Sequence, residues 1–525
     1  MKYRRIDGTA SRWLRSRSFP SVELITPKAT PKSHPPNTIR LVSTSTTPEH
    51  VTPEPANAPN TVVTQDGERI NKRELKRRSF AWQLYDVGNS AFQAVVVTFV
   101  FATYLASDYF IDPDIVALGA ANAEDPAYLN AQAGSQQVMS GLDLAAAIIV
   151  AVIAPALGRS ADGSRKRKTY LAVFSGITIA CMLLMFFVYP EAKFLVFGAT
   201  LLAVGKVFSD LAEVNYNSML SQVSTKENVG RVSGTGWGLG YIGSIVLLLV
   251  LLVLFLQDFN GDEPGIGLFG VPDGLDGQAL NIRLAVVVAA LWFIAFVIPL
   301  LRRVPEADAR VTVKRVNFFQ AYGELWKTLV WLWQNDRKLL QFLLSSAIFR
   351  DGLGAIFAWG AVLAAQVYGF SGSEVIYFAV AANLAAGFGT LASGFLDDRF
   401  GPKTVIVASL VSLLIAGTVL MFTSNDKSVF WVLGLILCLF VGPVQSASRS
   451  YLSRAVPAGH EGEIFGLYAT TGRAAGWIAN LLYFAFISWL MVPKAGVWGI
   501  LITLALGLVI LLTVPAKRGV VKLRE

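Results

Sequence analysis

Residues 234 to 243 read GTGWGLGYIG, and Gly238, Gly240 and Gly243 carry the G-x-G-x-x-G spacing that cradles a dinucleotide pyrophosphate. Taken as a phosphate loop, the stretch makes the chain an α/β nucleotide-binding protein. Taken as the opening of a membrane-crossing helix, it makes the chain an all-α membrane protein. A dinucleotide loop needs a preceding strand, a following helix and an acidic residue about 20 positions on. Here the glycines instead open an apolar run. Gly236 and Gly240, like Gly472 and Gly476, stand in G-x-x-x-G spacing, which lets helix backbones approach closely in lipid because small residues permit contact. Helix packing is therefore the reading adopted. No G-x-x-x-x-G-K-[ST] occurs either, since in GATLLAVGKV (198 to 207) the glycines are spaced too far apart and the hydroxyl is lacking.

Composition agrees. The 525 residues are 54% apolar and only 15% charged, and the mean hydropathy is +0.51, too apolar for a soluble chain of this length. Cys181 and Cys438 each sit alone in an apolar run, and His34, His50 and His460 form no cluster. Neither a disulfide framework, a metal site nor a cofactor is expected, and no nucleophile constellation points to an enzyme.

From Phe80 onward, apolar runs of about 20 residues recur, each long enough to cross a hydrocarbon core of about 30 Å. Twelve are expected, near 80–105, 136–157, 169–189, 194–216, 232–257, 282–301, 340–368, 374–395, 403–422, 429–447, 463–490 and 495–515. Loop charge orients them, because Lys and Arg collect on the cytoplasmic side. GRSADGSRKRK (158 to 168) carries five basic residues and 302–338 carries eight, whereas 106–136 and 258–281 hold five acidic residues each and no basic one. Both termini are expected in the cytoplasm, the net charge of +9 reflects that face and its contact with anionic lipid, and nucleic acid is not a partner.

The first stretch, 1–78, is basic and rich in Pro, Ser and Thr and reads as a disordered tail. Its Arg-rich start imitates a targeting peptide but lacks the apolar segment of a secretory signal. Beyond it the organisation expected is a six-helix set at 79–301, a linker at 302–338, a second six-helix set at 339–515 and a basic tail at 516–525. In the linker, Phe319, Tyr322, Trp326, Leu329 and Trp333 recur every three or four residues, the pattern of an amphipathic helix on the inner leaflet.

Two pairs of segments repeat between the sets. Gly158 and Asp162, followed by Arg165, parallel Gly394 and Asp398, followed by Arg399, Gly401 and Lys403. A shift of 232 residues also lays Ser218, Leu220, Ser221, Gly230, Gly234 and Gly240 on Ser450, Leu452, Ser453, Gly462, Gly466 and Gly472. With twelve spans and this loop in each half, the chain resembles the major facilitator superfamily. Within it, YDVGNSAF (85 to 92), RVSGTGWGLGYIG (231 to 243) and FGLYATTGRAAG (465 to 476) are similar to the vacuole-effluxer branch and its bacterial relatives. Gly163 and Ser164 in the first loop, and Val87 and Gly88 after Asp86, depart from the usual patterns. The resemblance implies a secondary transporter, the fungal members being associated with release of neutral amino acids from the vacuole. It also implies that Asp162 and Asp398 pin a helix end that is released as the halves rock; ordinary capping with positive-inside topology is the plainer alternative.

Charges inside spans cost about 3 kcal/mol or more unless paired or wetted. Asp86, Asp143, Lys206, Asp210, Glu213, Arg350, Asp351 and Arg473 are of this kind. Lys206 and Asp210, four apart, are placed to pair on one helix face, and Asp210 and Glu213 fit an internal ion pair as well as they fit a function. Asp86 and Asp351 each begin an Asp-x5-Phe stretch in the first span of a set, and a proton relay would rest on these carboxylates. Asn89, Ser90, Asn215 and Gln445 offer neutral polar contacts or simple helix glue. The function expected is alternating-access transport of a small solute, with neutral amino acids the favoured class and a proton or other ion as coupling partner, by a monomer in the cell membrane. A drug or metabolite exporter of the same fold, and a non-transporting receptor or scaffold, are the alternatives.

Overall fold

The computed structural model describes residues 60–257, 266–306, 317–457 and 459–516. It opens with a hairpin of β1 (Thr61–Val63) and β2 (Arg69–Asn71), antiparallel with Val62 opposite Ile70. Asp66-Gly67 makes the turn, with Gly67 at φ +88°, the left-handed conformation glycine takes without strain. Asn71 then caps α1 (Lys72–Ala91), its side chain accepting from Arg73 N–H at 2.9 Å. The tail expected to be disordered through residue 78 thus folds from residue 60. Its earlier residues and the basic tail from 517 lie outside the described residues.

After α1 the backbone passes through a π-helical stretch, Phe92–Phe99, into α2 (Phe101–Leu105). Then follow α3 (Pro113–Ala121), α4 (Pro126–Ser164), α5 (Arg167–Leu184), α6 (Leu195–Ser218), α7 (Val229–Leu251) and α8 (Leu280–Arg303). Helix α9 (Phe318–Asn335) occupies the linker, and α10 (Arg337–Gln366), α11 (Gly372–Phe400), α12 (Pro402–Phe422) and α13 (Lys427–Ala455) follow. The chain ends in α14 (Glu461–Ala475), α15 (Ile478–Leu490) and α16 (Gly496–Leu512).

Among the described residues, 11 helical stretches are long and apolar enough to cross a membrane, against the twelve expected. The difference lies at 463–490, where the apolar run is two helices, α14 and α15, separated at Gly476 and Trp477. Asp351 of α10 makes this break tenable: its carboxylate accepts the Ala479 N–H at 2.6 Å, at the start of the second helix. A freed N–H that deep in an apolar helix otherwise has no acceptor.

The outer surface is apolar, as lipid demands. Leu144, Ile148 and Val152 on α4 and Phe388 and Phe395 on α11 are all exposed. Helix α9 is amphipathic as expected and seats Ala321, Leu325 and Leu332 inward, leaving Phe319, Trp326 and Trp333 outside. It is tied down by Tyr322, whose hydroxyl donates to the Val152 carbonyl at 3.1 Å.

The helices before and after α9 meet along two seams, α4 on α14 and α7 on α11. Small residues bring the backbones together there: a Cβ on Gly158 would lie 2.0 Å from the Gly462 carbonyl oxygen, and one on Gly234 would lie 2.8 Å from the Gly394 Cα. Gly236 and Gly240 face α1, where an added Cβ would meet the Asp86 carboxylate at 2.5 Å and the Asp86 carbonyl at 3.2 Å. Gly472 faces the Arg350 guanidinium, at 3.1 Å. Gly476 departs from the expected packing role, because its Cβ would meet only its own helix and the residue closes α14 at the break. Replacing Gly158 by leucine should separate α4 from α14 and destabilise the protein by about 1–3 kcal/mol or more. A thermal unfolding midpoint in detergent equal to that of the parent would contradict this packing.

Candidate functional site

The repeated loops meet crosswise. Asp162, in the last turn of α4, accepts the Gly462 and Glu463 N–H groups of α14 at 2.9 and 2.8 Å. Asp398, in the last turn of α11, accepts the Gly230 and Arg231 N–H groups of α7 at 2.8 and 3.1 Å. Each carboxylate thus caps a helix of the other set, where orphan N–H groups and the positive end of the helix dipole favour an anion. Guanidiniums brace both. Arg167 donates to Asp162 at 2.6 Å and to Glu461 at 2.7 Å. Arg231 donates to Asp398 at 3.0 Å, and Arg454 reaches Asp398 at 3.3 Å and pairs with Asp397.

The other loop residues do different work. Arg165 takes the left-handed conformation that ends α4, at φ 56°. Arg399 lies 5.3 Å from the centre of the Phe400 ring, and Gly401 turns the chain at φ +89°. Lys403 donates to the carbonyls of Leu512 and Val514, tying α12 to the end of α16. Gly158 and Gly394 supply the close approaches described above.

Beyond these caps, two adjoining cavities of about 510 and 440 Å³ lie between the sets. Both are bordered by Gln93, Asp210, Glu213, Arg350, Gln445 and Arg473. Asp86 and Asn89 line the smaller and Asp351 the larger. Of the expected pathway residues, Asp143 and Lys206 line neither. They pair with each other between α4 and α6, so the expected Lys206–Asp210 pairing along one helix is replaced by a partner from another helix. Asp210 pairs instead with Arg473 of α14, which brings opposite charges of the two sets together in the cavity.

Asp86 has a partner the sequence reading did not single out. Arg449 of α13 is 1% exposed, and its Nη2 lies 3.3 Å from the Asp86 carboxylate. Nη2 also donates to the Ser233 carbonyl at 2.7 Å, Nε donates to the Ser233 hydroxyl at 2.9 Å and Nη1 to Asn217 at 3.3 Å. Trp82 and Trp237 flank it, with ring centres 4.8 and 5.0 Å away. Tyr216 completes the set by donating to Asp86 at 2.8 Å. The 232-residue shift sets Asn217 opposite Arg449, a signal in the sequence that these positions correspond. Gln93 and Trp237 likewise enter the cavity only once the helices are packed, and Glu213, already notable as a charge within a span, borders both cavities.

The remaining cavity charges are less well matched. Arg350 lies over the Tyr468 ring at 4.0 Å and donates to the Tyr468 carbonyl at 3.3 Å, but has no acidic partner among the described residues. Glu213 accepts from Asn217 at 3.3 Å, and Asp351 is occupied with the start of α15. Asn89 accepts from the Ser209 hydroxyl at 3.1 Å. Among the described residues, no group of three or more His, Cys, Asp or Glu is placed to hold a metal ion.

This fold and cavity are those of an integral, multi-pass membrane protein of the major facilitator superfamily, whose family model matches residues 30–248. A second family model, described as vacuole effluxer Atg22 like, matches residues 221–524, more than half of the chain. The chain belongs to the Atg22-like vacuole effluxer family. It is 28% identical over 455 residues to an uncharacterised transporter of the superfamily, YxiO of Bacillus subtilis, covering 85% of this chain and 96% of that one. With autophagy-related protein 22-1 of Aspergillus niger it shares 23% identity over 47% of this chain and 40% of that one. The fold is that of the proton:xylose symporter XylE bound to 6-bromo-6-deoxy-D-glucose, at TM-score 0.63 and 14% identity, covering 85% and 97% of the two chains. It is also that of the E. coli fucose:proton symporter FucP, at TM-score 0.60 and 11% identity, covering 84% and 98%.

The buried ion pair yields a stability test. Replacing Arg449 by methionine leaves Asp86 buried without its cation, which should destabilise the protein by about 3–5 kcal/mol. Adding Asp86→Asn to that variant should restore part of the loss, as read from thermal unfolding in detergent. Additive losses in the double variant would show that the two side chains do not act as a pair.

Proposed function

We propose that the protein is a secondary transporter that moves a small zwitterionic solute, most simply a neutral amino acid, by alternating access. The observation that carries the reading is Arg350, a cation without an acidic partner among the described residues, which shares a cavity with Glu213 and Asp351. A carboxylate on the guanidinium and an ammonium near the acids would complete charges that the protein leaves uncompensated. A charged lining of this kind suits a polar solute better than an apolar drug. Membership in the vacuole-effluxer family supports the same class.

In this reading the chain crosses the membrane twelve times, with α14 and α15 together making the eleventh crossing, and its spans form two six-helix halves. The basic loops and both termini face the cytoplasm of a plasma-membrane protein, following the charge asymmetry. The crossed caps at Asp162 and Asp398 then close the inner end, and the cavity is reached from the other side. Turnover requires those caps to break and the halves to rock, with Asp86 and Arg449 beneath the cavity as the pair through which a coupling proton acts.

Purified protein in liposomes should accumulate neutral amino acids when a proton gradient is imposed. Arg350→Gln should raise the solute concentration needed for half-maximal uptake about tenfold or more, the loss of one charge-assisted hydrogen bond, with little change in unfolding temperature. Unchanged uptake, or equal uptake of analogues lacking the carboxylate, would overturn the assignment.

A further inference from the structure

The break between α14 and α15 is a feature that the transport cycle described above does not use. The two helices have different neighbours on its two sides. Helix α14 lies mainly against α4 of the other set. Thr470 donates to the Ala151 carbonyl at 2.9 Å, and a Cβ on Gly466 would lie 2.7 Å from the Ala154 carbonyl oxygen. Helix α10 also packs on α14, with Arg350 against Tyr468, about two turns from the break. Helix α15 instead lies against α16 and α10 of its own set. A Cβ on Gly499 of α16 would collide with the Leu482 and Tyr483 backbone. Trp359 of α10 stacks on Tyr483 with ring centres 4.4 Å apart, and its Nε1 donates to Asn480 at 2.8 Å.

The polar groups at the break are satisfied separately on each side. Toward α14, the Gly476 N–H donates to the Arg473 carbonyl at 3.3 Å, the Trp477 N–H to the Ala475 carbonyl at 2.8 Å and Trp477 Nε1 to the Ala474 carbonyl at 2.9 Å. Toward α15, the acceptor of the Ala479 N–H is Asp351, which belongs to α10. A change in the angle of α14 therefore leaves that N–H paired, where an unpaired one in apolar surroundings is costly. Gly476 offers no steric resistance, since a Cβ there would meet only atoms of its own helix, at 3.5 Å and beyond.

We propose that Gly476 and Trp477 form a hinge and that Asp351 is its positioning residue: when the α4–α14 seam parts, α14 swings about this joint while α15 keeps its place on α16 and α10. The proposal rests on reading the seam as a gate, and the experiment separates the two. The 15 residues of α14 span about 22 Å, so a turn of about 15° at the hinge moves the far end by about 6 Å.

The full chain, with Cys181 and Cys438 replaced by alanine, is placed in lipid nanodiscs with spin labels in pairs. Lys166→Cys with His460→Cys spans the seam, and Thr404→Cys with His460→Cys reads α14 against α12 of the same set. Phe422→Cys with Trp489→Cys, both exposed, reads α15 against α12. Asp162→Ala removes the acceptor that holds α14. It should lengthen the first distance, shift the second by about 6 Å in the opened fraction and leave the third unchanged. Arg167→Gln, which removes the guanidinium bracing Asp162, is the milder route to the same opening. Adding Gly476→Ala, which favours a continuous helix, should reduce the shifted fraction on the order of fivefold. Asp351→Ala should reduce it too, because the Ala479 N–H then finds its acceptor only in a continuous helix. Asp351→Asn, whose amide oxygen still accepts that N–H, should keep it. A fraction lost as fully in Asp351→Asn as in Asp351→Ala would overturn the positioning role. A seam that opens with the second distance constant, or with the third shifting alongside it, removes the hinge alone. A seam that opens in neither Asp162→Ala nor Arg167→Gln removes the gate and the hinge together.

Discussion

Everything in this protein depends on where the first N–H groups of two helices find acceptors. The N-termini of α7 and α14 reach the basic-loop end of the bundle, and each receives a carboxylate from a helix on the far side of the seam. A capping side chain normally belongs to its own helix. Here Asp162 and Asp398 serve helices of the other set, so helix capping and the contact between sets are one interaction. Gly158 against Gly462, and Gly234 against Gly394, let the backbones come near enough for those short side chains to reach.

The cavity follows from the same geometry. The seams hold the two sets together over the turns next to the caps, and beyond them α14 ends at Gly476 and α15 starts again under Asp351. The space that results collects charges a membrane helix could carry only with partners or water. Asp210 with Arg473, and Asp86 with Arg449, are pairs between sets rather than within one, so these charges respond to the separation of the helices that hold them. Arg350 is the exception: half-buried at the cavity and without an acidic partner among the described residues, it is placed to meet a solute carboxylate in the transport reading.

Much of this was written plainly in the sequence. Apolar runs, loop charge and the 232-residue repeat are enough to give a helical membrane protein of two related sets, because the bilayer leaves few alternatives; its family is a matter of the resemblance carried by the loops after Gly158 and Gly394 and by 85–92, 231–243 and 465–476. Asp86 stood out because a carboxylate inside an apolar run is costly. Arg449 did not, because SASRSYLSRA (446 to 455) reads as a loop and the span was ended at 447, whereas α13 continues to Ala455. Spacing of four suggested that Lys206 pairs with Asp210, but spacing reports only neighbours on one helix, and both found partners on others. The break at Gly476 carries no strong signal, since what supports it is a carboxylate 128 residues before Ala479. The hairpin was not legible, because its six strand residues stand in a polar stretch rich in Pro, Ser and Thr.

In the proposed transport cycle the crossed caps close the basic-loop end while the cavity stays open to the opposite face. This arrangement is tested most directly with one cysteine at Ala358, an exposed residue lining the larger cavity, in a background without Cys181 and Cys438. In sealed vesicles, a membrane-impermeant maleimide should label this cysteine from the face opposite the basic loops. Labelling from the basic-loop face should appear only when Asp162 and Asp398 are both replaced by asparagine. Equal labelling of the parent from both faces, or labelling from the basic-loop face alone, would contradict the account.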